Sequence, residues 1–332
     1  MANMKLTNSN RPTMEDIARE AGVSTITVSR ALAGNALVKP ATRDRIREIA
    51  AARGYQLNVA ARNLRLKKTR TIAVVIEMIP TTQRPMSDPY PLALLGGIIQ
   101  ELSTAGYSAM LSTADNFVKQ PPSVDAVILL GQGVHDDAVA SLERCNLPLV
   151  IWGSARNDTR HVIVGSDNFA GGSLVAQRFA DLGRKHAIFL GDPEYTEVND
   201  RLDGFLSRFA AHGGELLAAI PCDFTLDEGA RAMEFALTQH GDNIDAVFGA
   251  SDNIAMGAVR VLARRGIQIP AQVSVVGFDD TAAATLFVPS LSTIHQHWHE
   301  CGRLLASKSL ALAQGERVAS EMLPVQIIIR QS

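Results

Sequence analysis

Cysteine is scarce: Cys145, Cys222 and Cys301 are the only three in 332 residues, and no two form a CxxC pair. That excludes a disulfide framework and a zinc ribbon. Long apolar runs are missing as well. The longest candidates, TIAVVI and DAVILLG, are strand-length, far short of the ~18–20 residues that span a bilayer. The opening MANMKLTNSNRP has no apolar h-region, so no secretory signal is expected and the chain reads as cytoplasmic, without a membrane partner. No GxSxG elbow, Walker motif or HExxH occurs, so neither an enzyme nor a cofactor is indicated. Gly131-Gln-Gly133 lacks the third glycine of a dinucleotide fingerprint, Asp136 standing there, and reads as a turn. His295, His297 and His299 have no second cluster to complete a metal site, and no metal is expected.

What is present is an ordinary globular composition, 46% apolar and 20% charged, long enough for two or three domains. The net charge of −2 hides an asymmetry. Residues 1–70 hold 14 Lys/Arg against 5 Asp/Glu, whereas the remainder holds 18 against 29. A basic segment on an acidic body is the pattern of a protein one end of which meets a polyanion.

Within that segment, Thr13-Met-Glu-Asp16 is a capping box before an apolar face of Ile17, Ala18 and Ala21, and Gly22 is a natural helix stop. Ser24 caps a second short helix, and a third runs from Pro40 towards Gly54. Two eight-residue helices joined by a glycine-containing turn are helix-turn-helix grammar. Val28, Ala31 and Leu32 take the core side of the second helix, which turns Thr25, Ile26, Ser29 and Arg30 outward. Arg pairs bidentately with guanine and Ile touches a thymine methyl, so this face suits a DNA major groove. A three-helix module that binds protein, with Arg30 in solvent, has the same pattern. Beyond it, Asn58–Leu64 has good helix formers but spans about two turns, too few for a stable isolated helix.

From Thr71 apolar strands alternate with amphipathic helices. Strands are expected at 71–77, 108–113, 125–130, 147–151, 186–191, 216–220, 245–249 and 273–277. Helices are expected near 92–105, 135–144, 169–182, 200–212, 226–239, 253–265 and 297–314, with a last strand near 323–330. Such alternation predicts parallel sheets covered on both faces, with ligand at the strand C-termini. Arg201, Asp252 and Asp279 fall on those loops, where Arg donates and Asp accepts, as vicinal hydroxyls require. Asp252 either faces ligand or holds a loop. Tyr90, Trp152, Tyr195, Phe224 and Trp298 fall at strand ends or cleft loops, either to stack on a sugar ring or to pack in the core.

The stretches TMEDIAREAGVSTITVSRAL and TRDRIREIAAARGYQLNVAARNL resemble the DNA-binding head of LacI/GalR-type bacterial transcription regulators. VGSDNFAGG, RLDGF, ASDNIAMGAV, VSVVGFDD and LSTIHQ resemble their effector domain. The resemblance implies an α/β fold: a three-helix head with a hinge helix, then a two-lobed periplasmic-binding-protein-like domain with parallel sheets. It divides the chain into a disordered arm (1–12), the helix-turn-helix domain (13–57), a hinge and linker (58–70) and the effector domain (71–332). The N-lobe is then about 71–165 and 297–322, the C-lobe about 166–296 and 323–332.

The same resemblance implies base reading by Thr25, Ile26 and Arg30, and phosphate contacts from Thr13, Ser24, Ser29, Tyr55 and Asn58. It implies a minor-groove wedge at Leu64 with Ala61 beside it; a plain basic linker is the alternative. In the cleft it implies ligand contacts from Asn168, Arg201, Asp279 and Gln296. Tyr195 and Glu197 stand where purine-binding relatives carry Arg and Thr, which favours a carbohydrate. The expected partners are pseudo-palindromic double-stranded operator DNA, a sugar-like effector and a second copy of the chain. A solute-binding transport protein and a sugar enzyme are the rivals. Leu57, Ala33 and Lys39 depart from the family pattern, and ADNFVKQPPSV leaves too little chain for a full helix after the strand at 108–113.

Overall fold

Thr13 caps the first helix in both directions: its hydroxyl accepts the Asp16 N–H at 3.3 Å, and its own N–H donates to Asp16 Oδ2 at 2.9 Å. In the computed structural model the described residues are 12–32, 34–55, 69–77, 89–133, 137–155 and 160–332. The chain divides into two units, Met1–Thr69 and Arg70–Ser332. The first contains α1 (Met14–Ala21), α2 (Thr25–Leu32) and α3 (Pro40–Ala52). Gly22 ends α1 in the left-handed region, φ 63°, where a side chain would be strained. Ile17, Ala18, Ala21, Val28, Ala31, Val38 and Ile46 close a small core. Val38, in the turn before α3, is the member that helical periodicity did not anticipate.

The second unit carries two parallel sheets. The first is built from β1 (Thr71–Ile76), β2 (Ser108–Thr113), β3 (Ala126–Leu130), β4 (Leu149–Trp152), β5 (Val162–Ser166) and β11 (Glu321–Leu323), in the order β11-β5-β4-β3-β1-β2. The second is β6 (His186–Leu190), β7 (Glu215–Ile220), β8 (Ala246–Gly249) and β9 (Ser274–Val276), in the order β7-β6-β8-β9. In each, the first strand of the lobe has its second strand on one side and its third on the other. The chain reverses its direction of travel there, so a crevice opens at the strand C-termini. Alternation along β1 distributes the N-lobe core: Ile72, Val74 and Ile76 pack on one face, Ala73 and Val75 on the other.

The expected short segment after β2 forms a six-residue helix, Ala114–Lys119, instead of a full one. The expected terminal strand is two, β11 and β12 (Gln326–Ile328), and β10 (Thr293–His295) pairs antiparallel with β12. The chain passes between the lobes three times, after β5, after β10 and after β11. After α4 (Pro89–Thr104), α5 (Ala114–Lys119) and α6 (Asp137–Glu143) of the N-lobe, α7 (Asn168–Asp181) and α8 (Thr196–Ala211) cross closely in the C-lobe. A Cβ on Gly172 would lie 1.9 Å from the Arg201 carbonyl oxygen, and one on Gly204 2.0 Å from that of Phe169. Among the described residues no helix is long and apolar enough to cross a membrane.

Candidate functional site

On the head, α2 turns Ile26 (52% exposed) and Arg30 to solvent, with Thr25 and Ser29 half-buried beside them. Ser24 Oγ accepts the Thr27 N–H at 3.2 Å, the expected cap. Arg53 neutralises Glu20 at 2.6 Å and Arg19 pairs with Asp16 at 3.3 Å, but Arg30 has no ion pair among the described residues. Tyr55 packs against the head core, and this burial raises its phenol pKa. Thr13 spends its hydroxyl on the capping box. Asn58, Ala61 and Leu64 lie outside the described residues.

The body holds a cleft of about 680 Å³, open mouth included, at the C-terminal ends of both sheets. Tyr90, Trp152 and Trp298 line it from the N-lobe side, and Phe224 from the C-lobe side. Tyr90 and Trp298 support each other, ring centres 6.3 Å apart and tilted by 56°. Asn168, Arg201, Asp279 and Gln296 supply polar walls.

Arg201 is buried and fixed on three sides. Its Nε donates to Asn168 Oδ1 at 2.9 Å, its Nη1 donates to the Ala250 carbonyl at 2.5 Å, and its guanidinium lies 3.9 Å over the Phe278 ring. Burial pulls its pKa below the ordinary arginine value, and Asp279 leads the carboxylates that oppose the shift. Asp279 itself has φ 124°, followed by Asp280 at 57°. Non-glycine residues adopt such backbone only under constraint, commonly at functional sites. Gln296 Nε2 donates to Asp279 at 2.7 Å, while Gln296 Oε1 and Ser166 Oγ are buried without a hydrogen-bond partner among the described residues.

The family model for bacterial regulatory proteins of the lacI family matches residues 13–58, and that for a periplasmic binding protein-like domain matches 176–332. The HTH-type transcriptional regulator CelR of Thermobifida fusca is 31% identical over 332 residues, covering 96% of each chain. The chain belongs to the lacI family. As a lacI-family protein it is a regulator of transcription and not an enzyme. A solved complex of transcriptional regulator CelR with cellobiose is 30% identical, with a TM-score of 0.72, over 97% of this chain and 100% of that one. The lac repressor dimer bound to operator and the anti-inducer ONPF shares the fold at a TM-score of 0.84 and 24% identity, over 96% and 98% of the two chains.

Two expected ligand residues of this lacI-family chain are not among those lining the cleft. Asp252 is fully buried, its carboxylate accepting from Thr281 N at 2.7 Å, Thr281 Oγ1 at 3.0 Å and Thr293 Oγ1 at 2.5 Å. It therefore takes the loop-holding alternative. Burial raises its pKa to about 6 against those bonds. Tyr195 precedes α8 and packs edge-on behind Phe224, ring centres 5.6 Å apart. Ser166, Glu197, Ser251 and Asn253 line the cleft without having been expected as ligand residues. Ser166 ends β5, and Ser251 and Asn253 follow β8 closely, the position that could have singled them out, whereas Glu197 lies in the first turn of α8. Among the described residues no group of His, Cys, Asp and Glu is placed to hold a metal.

Proposed function

We propose that this lacI-family regulator is a cytoplasmic homodimeric repressor that reads a pseudo-palindromic operator through α2, and that a neutral sugar in the cleft sets its operator affinity. The observation that carries the ligand half is the pair of buried, unbonded oxygens, Ser166 Oγ and Gln296 Oε1, inside an aromatic-lined cleft. An unmatched buried polar atom costs free energy, and a sugar hydroxyl donates and accepts, so it satisfies both. Aromatic faces suit the apolar face of a pyranose. Glu197 and Asp279 outnumber the single cation Arg201 in the lining, which disfavours sugar acids and phosphates. The bound cellobiose of the similar CelR complex supports a saccharide here.

For the DNA half, Arg30 is the bidentate guanine reader and Ile26 the thymine-methyl contact, with Thr25 beside them. Thr13, Ser24, Ser29, Tyr55 and Asn58 hold phosphates, and Leu64 with Ala61 wedges the minor groove. By linkage, whatever factor the sugar applies to operator affinity, the operator applies to sugar affinity. Calorimetry of the full chain with cellobiose, glucose, galacturonate and glucose 6-phosphate tests the reading, alongside binding to an operator selected from random sequence. Neutral sugars should bind, and one should shift operator affinity. Tighter binding of the charged compounds, or a selected operator without two-fold symmetry, would sink the respective half.

A further inference from the structure

Behind the cleft a line of polar side chains runs from one lobe to the other. Arg201 Nε donates to Asn168 Oδ1 at 2.9 Å, Asn168 Nδ2 donates to Ser154 Oγ at 3.0 Å, and the Ser154 N–H donates to Gln132 Oε1 at 2.8 Å. All four residues are buried, at 6%, 5%, 2% and 4% exposure respectively. Asn168 and Arg201 stand on α7 and α8 of the C-lobe, whereas Ser154 and Gln132 follow β4 and β3 of the N-lobe.

The polarity of the line is forced. Arginine has no acceptor, so Asn168 must turn its oxygen to Arg201 and its amide nitrogen to Ser154 Oγ and the Ser166 carbonyl, the latter at 3.1 Å. Ser154 then accepts through its hydroxyl and donates through its backbone, and Gln132 must present oxygen. Every donor points along the line from the C-lobe to the N-lobe, and the conjugated amide of Asn168 couples the bond it accepts to the one it donates. The backbone is shaped for it: a Cβ on Gly153 would fall 2.2 Å from Gln132 Oε1. At the far end, Nε and Nη1 of Arg201 are occupied, and Nη2 has no bond among the described residues.

We infer that Gln132 and Ser154 are positioning residues for the ligand site, setting the orientation of Arg201 through Asn168 and so tuning effector affinity from the opposite lobe. The inference rests on the reading of Arg201 as a ligand contact. Ser154 and Gln132 are absent from the cleft lining, so they act through what they hold: Ser154 Oγ holds the Asn168 side chain, and Gln132 holds the Ser154 backbone.

Two readouts on the full chain test it. The first needs no ligand: hydrogen exchange of the Arg201 Nε–H, followed by NMR on arginine-labelled protein and assigned with Arg201→Lys. Ser154→Ala should speed that exchange while the melting temperature of the body moves little, and Ser154→Thr, which keeps the hydroxyl, should restore it; Gln132→Leu should speed it too, with a lower melting temperature because the buried Ser154 N–H loses its acceptor. The second is cellobiose calorimetry, where both variants should weaken binding by about tenfold, the scale of one hydrogen bond to a charged group. Should Gln132→Leu not fold, Ser154→Ala removes one oxygen only and carries the test. Unchanged Nε exchange would overturn the inference. So would faster exchange with unchanged cellobiose affinity, which would leave the line a structural one. If cellobiose fails to bind the parent protein, the saccharide reading falls, and the exchange experiment still decides whether Gln132 and Ser154 orient Arg201.

Discussion

Asp252 accepts the backbone N–H of Thr281 at 2.7 Å, two residues beyond the Asp279 that lines the cleft. With Thr293 bound to its other oxygen, the same carboxylate ties the turn to β10. The site's acidic wall is thus held by a second, buried acid that does not line it.

That arrangement has a pH signature. Burial raises the Asp252 pKa from 3.8 to about 6, so the folded protein takes up this proton before the unfolded chain does. Its contribution to stability is therefore greatest below about pH 4, declines as the pH rises to about 6 and is flat above, a change on the order of 3 kcal/mol. Asp252→Asn should abolish that slope. Urea unfolding of both proteins at intervals from pH 4 to 7.5 checks it: parallel curves across the window would remove the assignment.

Ser166 Oγ is buried without a hydrogen-bond partner among the described residues. Ser166→Ala should therefore leave the melting temperature unchanged or raise it slightly. It should cost roughly 0.5–1.5 kcal/mol of sugar affinity, one neutral hydrogen bond. Thermal melts and calorimetry on the same preparation separate the two effects; a fall in stability with intact affinity would make the hydroxyl structural.

Gly172 and Gly204 let α7 and α8 approach until each backbone meets the other, which brings Asn168 within reach of Arg201. Ala at either position meets backbone that cannot yield, so it should destabilise the body by about 1–3 kcal/mol through overpacking. Because Gly172 abuts the Arg201 carbonyl, its variant should also weaken sugar binding. Chemical unfolding gives the first number and calorimetry the second.

Arg30 is exposed and without an ion pair among the described residues. Arg30→Ala should cost roughly 1–3 kcal/mol of operator affinity and relax base preference at one position per half-site. Competition against single-base operator variants reads this directly; an equal loss on every sequence would make Arg30 a phosphate contact.

Much of the body was legible because its central strands are buried on both faces. TIAVVI and AVILL carry unbroken apolar runs, and the helices between them keep one apolar side. Three-residue strands such as Ser274–Val276 and Thr293–His295 are too short to show a period, and β10 and β12 exist through pairing between distant segments. Val162–Ser166 was missed for a related reason: three apolar residues ending in Gly-Ser look like a junction until the neighbouring strand covers them. In the cleft, Asp279 stood out by charge and loop position, and Arg201 by charge alone, because it stands inside α8 and not on the expected loop. Asp252 has the residue type of Asp279 but opens the helix Asp252–Arg264 and does not lie on the expected loop, and only the positions of Thr281 and Thr293 mark it as a clamp. Ser166 and Asn253 carried no signal beyond lying next to strand ends.

The three passages between the lobes also have a mechanical meaning. Leu323 pairs with Ser166 and His295 pairs with Gln326, so the passage after β11 lies beside both of the others, and the three form a row. A row of straps yields readily to bending about its own line and resists torsion and sliding. Bending about that line is the relative movement these connections resist least. Tyr90, Trp152 and Phe224 of the cleft wall lie outside the three connections, so they can change without altering that line.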